Sequence, residues 1–374
     1  MCNFFKYIII SYVFLLTPLN CLAIAKLEQT NFAKGLVLDV KISTETEKEI
    51  DFMMNQESNL TQFEEQKVKV KILNNKNIGK IIHITNDLKH NPFDIKVKKG
   101  DKVFLYTENF NNKTEYYIQD FWHLDYLLFW LIFFFLIIIL LGQYQGLKTI
   151  ITLFISLFII FIIFIPALNK GASPLFTAGL ISLGVSSVTL PLIHDFSLKA
   201  LVSIIGTLGG VFTALFFSFL IGYFSHFNGL GTEDMRILAI NNPDFNFQGI
   251  LFAGIIIGAL GAIMDIAVSI SSGLQEIRQH QPKISFNELF RSGMNIGKDI
   301  MGSMLNTLIF AYVGTSLAMI LIISQNKISI IEFLNYGFVT EEIIRAIIGS
   351  IGLLATIPIT AISAGGIYVF FQKK

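Results

Sequence analysis

The sequence predicts an all-α polytopic membrane bundle of about seven spans with an N-terminal small extracytoplasmic β-barrel (OB-like) domain. Three observations carry that prediction. Hydrophobic residues make up 53% of the 374 positions and charged ones only 15%, against about a quarter charged in a soluble domain. Charge is also unevenly placed: about half of the lysines and acids lie between Lys26 and Trp122, and apolar stretches fill the rest. Finally, the chain opens with Lys6, an apolar core from Tyr7 to Leu16, and Ala23-Ile24-Ala25, the pattern of a cleavable secretory signal.

Residues 1–25 are therefore read as a signal peptide and 26–122 as an extracytoplasmic domain; an uncleaved first helix would leave that domain on the same side. Cys2 and Cys21 both fall in the removable segment, so the mature chain offers no thiol for disulfides, catalysis or metal ligation.

In the outer domain, Phe32 to Val40 and Lys67 to Leu73 alternate polar and apolar residues, with Val68, Val70 and Ile72 opposite Lys67, Lys69 and Lys71. That is a half-buried strand pattern. Further runs at Lys80 to Thr85, Phe93 to Val97, Val103 to Thr107 and Thr114 to Gln119 are separated by Asn, Asp, Gly and Pro, which favour turns. About six short strands fit a small closed barrel. The acidic stretch from Thr44 to Glu65 reads as a mobile loop.

Residues 124–374 form the membrane domain. A span needs roughly 20 apolar residues, and seven stretches come near that: Leu124 to Leu141, Leu147 to Ala167, Ala172 to Ile193, Leu198 to Phe224, Gln248 to Ser272, Ile296 to Ser324 and Ile344 to Phe371. With the β domain outside, the C-terminus ends inside. The inner segments then carry Lys148, Lys199, Arg278, Lys283, Arg291, Lys298, Lys373 and Lys374, as the positive-inside rule requires. Trp122, Tyr126 and Trp130 read as interface anchors.

The first two spans are almost free of glycine, whereas the other five carry stripes of small and polar residues. On the fifth span, Gly254, Gly258, Gly261, Asp265, Ser269 and Ser272 fall within roughly 80° of the helix circumference. On the sixth, Ser292, Asn295, Asp299, Ser303 and Asn306 share a face. Others are Gly179, Ser182, Ser186 and Thr189 on the third, and Gly349, Gly352, Thr356, Thr360 and Ser363 on the seventh. Gly206 and Gly210 on the fourth have the spacing that lets helix backbones approach closely.

An acid such as Asp265, deep in an apolar run, is costly unless paired or wetted and marks a functional position. Counted along antiparallel helices, Asp265 stands level with Ser303 and Asn306, while Asp299 and Lys298 lie nearer the cytoplasm. Two readings stay open. In one, Asp265, Ser269, Lys298, Asp299, Ser303 and Asn306 line a path for a small cation, a proton or a small solute; in the other, Asp265 is a structural acid satisfied by Ser and Asn.

Other chemistry finds no support. A two-aspartate intramembrane protease needs carboxylates that share a proton, and these differ in height by about two turns. Ser292 to Asp299 lacks the first glycine and the hydroxyl of a phosphate loop, and no histidine begins a His-Glu-x-x-His motif. His194 and Asp195 lie in a short cytoplasmic turn, where a cap or loop role competes with a proton relay. The β domain has no basic and aromatic interleaving for nucleic acid. No catalytic residue, metal site or cofactor is expected.

The segments GALGAIMDIAVSISSGLQEI (Gly258 to Ile277) and SGMNIGKDIMGSMLNTLIFAYVG (from Ser292), with GTEDMRILAI (Gly231 to Ile240), KGDKVF and YYIQDFW, resemble the YibE/F-like family of bacterial membrane proteins. Asp265, Lys298, Asp299 and Asn306 fall within its characteristic motif. The resemblance implies an exported N-terminal domain followed by a multi-span region in the bacterial inner membrane, with a permease-like role as the common expectation. The competing expectation is a non-transporting envelope scaffold or sensor whose β domain binds a partner. The lipid bilayer is the implied surrounding, and an envelope protein or a second copy of the chain the candidate protein partner.

Overall fold

The computed structural model describes residues 32–47, 61–74, 77–88, 93–110, 113–325 and 328–370. The expected signal peptide, with both cysteines, lies outside them. The chain divides into two compact units, one running to Ile137 and the other from Ile138.

The first unit holds an antiparallel sheet of five strands, β1 (Phe32–Glu47), β2 (Thr61–Ile72), β3 (Ile81–Leu88), β4 (Lys102–Phe110) and β5 (Lys113–Phe121), in the order β3-β2-β1-β4-β5. The alternation predicted for β2 holds: Val68, Val70 and Ile72 are buried with Ala33, Val37, Val103 and Leu105, while Lys67 and Lys71 are exposed. Two expectations are corrected. Phe93 to Val97 is not a strand, because side chains take the place of a neighbouring strand. Gln66 donates to the Val97 carbonyl and accepts from its N–H (3.3 and 3.1 Å), and Asn86 donates to the Ile95 carbonyl (2.8 Å). Of Thr44 to Glu65, residues 48–60 lie outside the described residues and the ends are strand: Thr44 to Glu47 pairs with Thr61 to Glu64, where threonines favour the pleated backbone.

The sheet is fastened to the helix that follows it. Asp125, in that helix's first turn, accepts from Lys34 Nζ (2.9 Å), Lys102 Nζ (2.6 Å) and Trp122 Nε1 (2.9 Å), and the Lys34 ammonium also stands 4.7 Å from the Trp122 ring centre. The carboxylate beside it raises the Lys102 pKa above the ordinary lysine value.

The helices are α1 (Leu124–Phe158), continued by a π turn (Ile159–Phe164) into α2 (Ile165–Asn169), then α3 (Pro174–His194), α4 (Leu198–Ser225), α5 (Glu233–Asn241), α6 (Phe247–His280), α7 (Phe286–Thr315), α8 (Leu317–Gln325), α9 (Ile330–Asn335) and α10 (Gly337–Phe370). Among the described residues five runs are long and apolar enough to cross a membrane, namely Leu124–Asn169, α3, α4, α6 and Gly337–Val369; α7 and α8, bent by 61°, make a sixth as a pair. The first run breaks at Gln143 (φ 47°, ψ −126°). A methyl group at Gly146 would run into the Ile138 carbonyl, although in a straight helix those residues stand about 12 Å apart.

Two helix starts differ from expectation. α7 begins at Phe286 rather than Ile296, because Ser285 and Glu288 form a reciprocal capping box that satisfies the free N–H groups of the first turn. α10 begins at Gly337 rather than Ile344, bringing Glu341 and Glu342 into the helix one turn ahead of Arg345.

α6 is the central helix of the second unit. Ile255, Ile256, Ile263, Ile266, Ile270 and Leu274 are fully buried against neighbouring helices. It runs parallel to α10, whose Gly349 and Gly352 pack near Ala259 and Ile263 and whose Tyr368 donates to the Ser271 carbonyl (3.1 Å). α7 runs antiparallel to both: its Ile296 packs against Gly273, its Gly293 against Leu274 and Ala361, and its Gly297 against Ile357.

Candidate functional site

The predicted stripes separate into two kinds. Those of α3, α4 and α10 are packing surfaces. Ser182, Ser186 and Thr189 are buried and return their hydroxyl hydrogens to carbonyls one turn back, as do Thr356 and Thr360. A side chain at Gly206 would collide with Thr360, and one at Gly210 with Thr356 and with the Gly352 carbonyl. Backbone approach of this closeness is what small residues permit. Ser203 and Ser271 add a buried hydroxyl pair at 2.6 Å.

The stripes of α6 and α7 are open. Gly254, Gly258, Gly261, Asp265 and Ser269 are exposed on a helix whose other residues up to Gln275 are buried or half-buried, and none of the large hydrophobic side chains exposed on the described surface comes from α6. On α7, Asn295, Lys298, Asp299, Gly302, Ser303 and Asn306 are exposed, again with no large hydrophobic among the exposed residues from Asn287 to Leu308. A methyl added at Gly261 or Gly302 would meet nothing within 4 Å. At 100° per residue the open face of each helix adjoins the side on which α6 and α7 touch. The two stripes therefore flank one seam and make a polar groove along it.

Heights along the groove follow from the contacts at its two ends. Ile296 packs on Gly273, and a methyl at Gly258 would stand 3.8 Å from Tyr312 Oη. Asp265 lies about midway, level with Ser303 and Asn306, and Asp299 is level with Ser269 to Ser271, as the sequence predicts. The expected bond from Asp265 to Ser303 or Asn306 is not made. Ser303 donates to the Ile300 carbonyl of its own helix (2.9 Å), a common resting place for a helical serine. Asp265, Lys298, Asp299 and Asn306 have no side-chain hydrogen bond or ion pair among the described residues.

His194 and Asp195 form a corner away from this seam. Asp195 caps α3 at φ 56° and ψ 177°. Lys148 Nζ lies 2.7 Å from its carboxylate, Ser197 N–H donates to its carbonyl (2.8 Å), and Gln145 donates to the Ile193 carbonyl (2.7 Å). The lysine holds the Asp195 carboxyl below the usual carboxylate range.

Sequence reasoning missed the charged group at the N-terminal ends of α6 and α10. Glu341 is 4% exposed and accepts from the Gly231 N–H; Gly231 has no room for a side chain because the Glu341 carboxylate packs on it. The GTED segment is thereby pinned to α10. One residue on, Glu342 Oε1 faces Arg345 Nε at 3.3 Å. Buried Glu342 Oε2 and Tyr312 Oη have no partner among the described residues. Acids three and four residues before an arginine, at the start of an apolar run, were the available signal. Among the described residues no three His, Cys, Asp or Glu side chains are grouped so as to hold a metal ion.

A polar seam inside a bundle of membrane-length helices, with an antiparallel β domain before it, defines a class: multi-span membrane proteins with an N-terminal β domain. Within that class the chain belongs to the YibE/F-like family, whose profile matches residues 130–369, and the YibE/F family N-terminal domain matches residues 33–121. Neither a curated protein nor a solved structure gives a significant match.

Proposed function

We propose that this protein is an inner-membrane permease that moves a small cation, a proton or a small solute along the groove between α6 and α7. One observation carries the reading. Both helices expose glycine, serine, asparagine and acids where a lipid-facing helix exposes Leu, Ile and Phe. A carboxylate such as Asp265 on lipid would be costly, so the groove is wet, with Asp265 as the midway site, Ser269, Ser303 and Asn306 beside it, and Lys298 and Asp299 toward the cytoplasmic mouth.

The break at Gln143 supports dividing Leu124–Asn169 into two spans, since about 69 Å of helix is twice a bilayer core. With α7 and α8 as one bent span, the described residues then hold seven, an odd number, which supports a β domain and a C-terminus on opposite sides of the membrane, the β domain outside. The strand order, together with Asn77 donating to Tyr116 across the open side of the sheet (2.8 Å), supports an OB-like half barrel. The fastening at Asp125 favours one further reading, in which the β domain binds an envelope partner and the membrane domain is a scaffold or sensor.

Water access separates these readings. In a background without Cys2 and Cys21, Ser269→Cys and Ser303→Cys should react with a charged thiol reagent, while Ser271→Cys, buried beneath, should not. Asp265→Asn should keep the protein folded and stop flux. Silence of both groove cysteines from either side of the membrane would remove the basis for a pathway.

A further inference from the structure

α7 and α8 meet at 61°, and the elbow they form with α9 and α10 borders two adjoining, half-open cavities of about 310 and 610 Å³. Ser316, Met319 and Glu342 line both. The smaller is walled by apolar side chains, among them Ile309, Val313, Ile320, Phe333 and Ile347; the larger adds the hydroxyls of Thr232, Thr315 and Tyr336. Among the described residues, Glu342 is the one charged residue lining either cavity. Arg345 Nε stands 3.3 Å from its Oε1, and neither that Nε nor Oε2 has a hydrogen-bond partner among the described residues. The terminal torsion of a glutamate is broad, and turning the carboxylate toward the cavity exchanges its 3.3 Å approach to Arg345 for contact with a guest.

The lining decides what fits. Among the described lining residues an anion would meet no lysine, arginine or histidine. A bare metal ion wants about six oxygen ligands, whereas the smaller cavity offers the carboxylate and the hydroxyls of Tyr312 and Ser316. A purely apolar guest would leave the carboxylate oxygen unpaired. A molecule with one positive charge on a compact apolar body matches both the walls and the acid, and about 300 Å³ is the lower end of ligand pockets.

We propose that the elbow binds a small organic cation, an amine or quaternary ammonium, through Glu342, and that such a cation is the solute this protein moves; the second half rests on the permease reading above, the first does not. Arg345 joins the site to the groove, since its Nη1 would stand 4.0 Å from a methyl at Gly254, the first position of the open α6 stripe. Glu342, Asp265 and Asp299 thus follow one another along α6 as three carboxylates for one positive charge.

Calorimetric titration of the full-length protein in lipid nanodiscs tests the site, with benzyltrimethylammonium, its neutral isostere neopentylbenzene, and sodium as probes. The quaternary cation should bind saturably and the neutral isostere about tenfold more weakly or worse. Glu342→Gln should weaken the cation by about tenfold or more, the loss of one charge-assisted contact, and Ala346→Phe, which fills the cavity and leaves the acid in place, should weaken it as well. Equal binding of the isostere, sodium binding that depends on Glu342, or full affinity in both variants would overturn the proposal. Flux of the same cation into proteoliposomes separates the two claims. Glu342-dependent binding without flux overturns the pathway and keeps the site; flux stopped by Asp265→Asn yet indifferent to Glu342→Gln does the reverse.

Discussion

The stripes of α4 and α6 are built from the same residue types, and they do opposite things. Gly206 and Gly210 press against Thr360 and Thr356 with no space to spare, whereas Gly261, one helix away, faces open space. Small residues in a membrane helix bring backbones together in one place and leave room beside an acid in the other. The acid tells them apart: the α4 stripe has none, and the α6 stripe carries Asp265 with no donor from its neighbours.

The sharpest way to break this contrast is to fill both kinds of stripe. Gly210→Leu should cost about 3 kcal/mol or abolish folding, because backbone lies in the way. Gly261→Leu should change stability by less than about 1 kcal/mol and yet block labelling of Ser269→Cys. Thermal unfolding in detergent measures the first effect and reagent reactivity the second. If Gly261→Leu is as damaging as Gly210→Leu, the α6 face is covered in the assembled protein, and a second copy of the chain becomes its occupant.

A smaller effect distinguishes hydroxyls by burial. Thr356→Val removes a buried hydroxyl that donates to the Gly352 carbonyl (2.9 Å) and should cost about 1 kcal/mol. Ser303→Ala, on the open face, should cost less than about 0.5 kcal/mol. Equal losses would mean that Ser303 is enclosed.

The smallest effect concerns the exposed corner at Asp195. Its carboxyl titrates below the usual range because of Lys148, so the pair's contribution is present above the ordinary aspartate value and fades as pH falls through the lowered one. The Asp195 carboxylate is exposed and screened. Asp195→Asn should therefore leave the unfolding temperature nearly unchanged at neutral pH and remove a slight loss seen in native protein below about pH 4. A large shift at neutral pH would mark His194 and Asp195 as more than a capped turn.

Much of this was legible from periodicity. The buried side of β2, the small faces of α3 and α10, and the relative heights of Asp265, Ser303 and Asp299 all follow from residue spacing, because 2.0 and 3.6 residue periods fix which side chains share a face. Periodicity does not say whether a neighbour covers that face, so the open and closed stripes look alike in sequence. Nor does it register a side chain standing in for backbone, and Phe93 to Val97 reads as a strand although Gln66 and Asn86 supply its hydrogen bonds. Glu342 escaped notice because an acid just before an apolar run resembles a loop residue until the helix is seen to begin at Gly337, and Arg345, inside the expected span, then had no visible partner.

The fastening at Asp125 has a mechanical meaning. Lys34 comes from the first strand, Lys102 from the fourth, and Trp122 from the two-residue joint between sheet and helix, and all three close on one carboxylate. A joint held on three sides transmits torque. A pull or twist applied to the sheet turns the first helical turn with it, as a wrench turns a bolt, and Asp125→Ala would convert that wrench into a hinge.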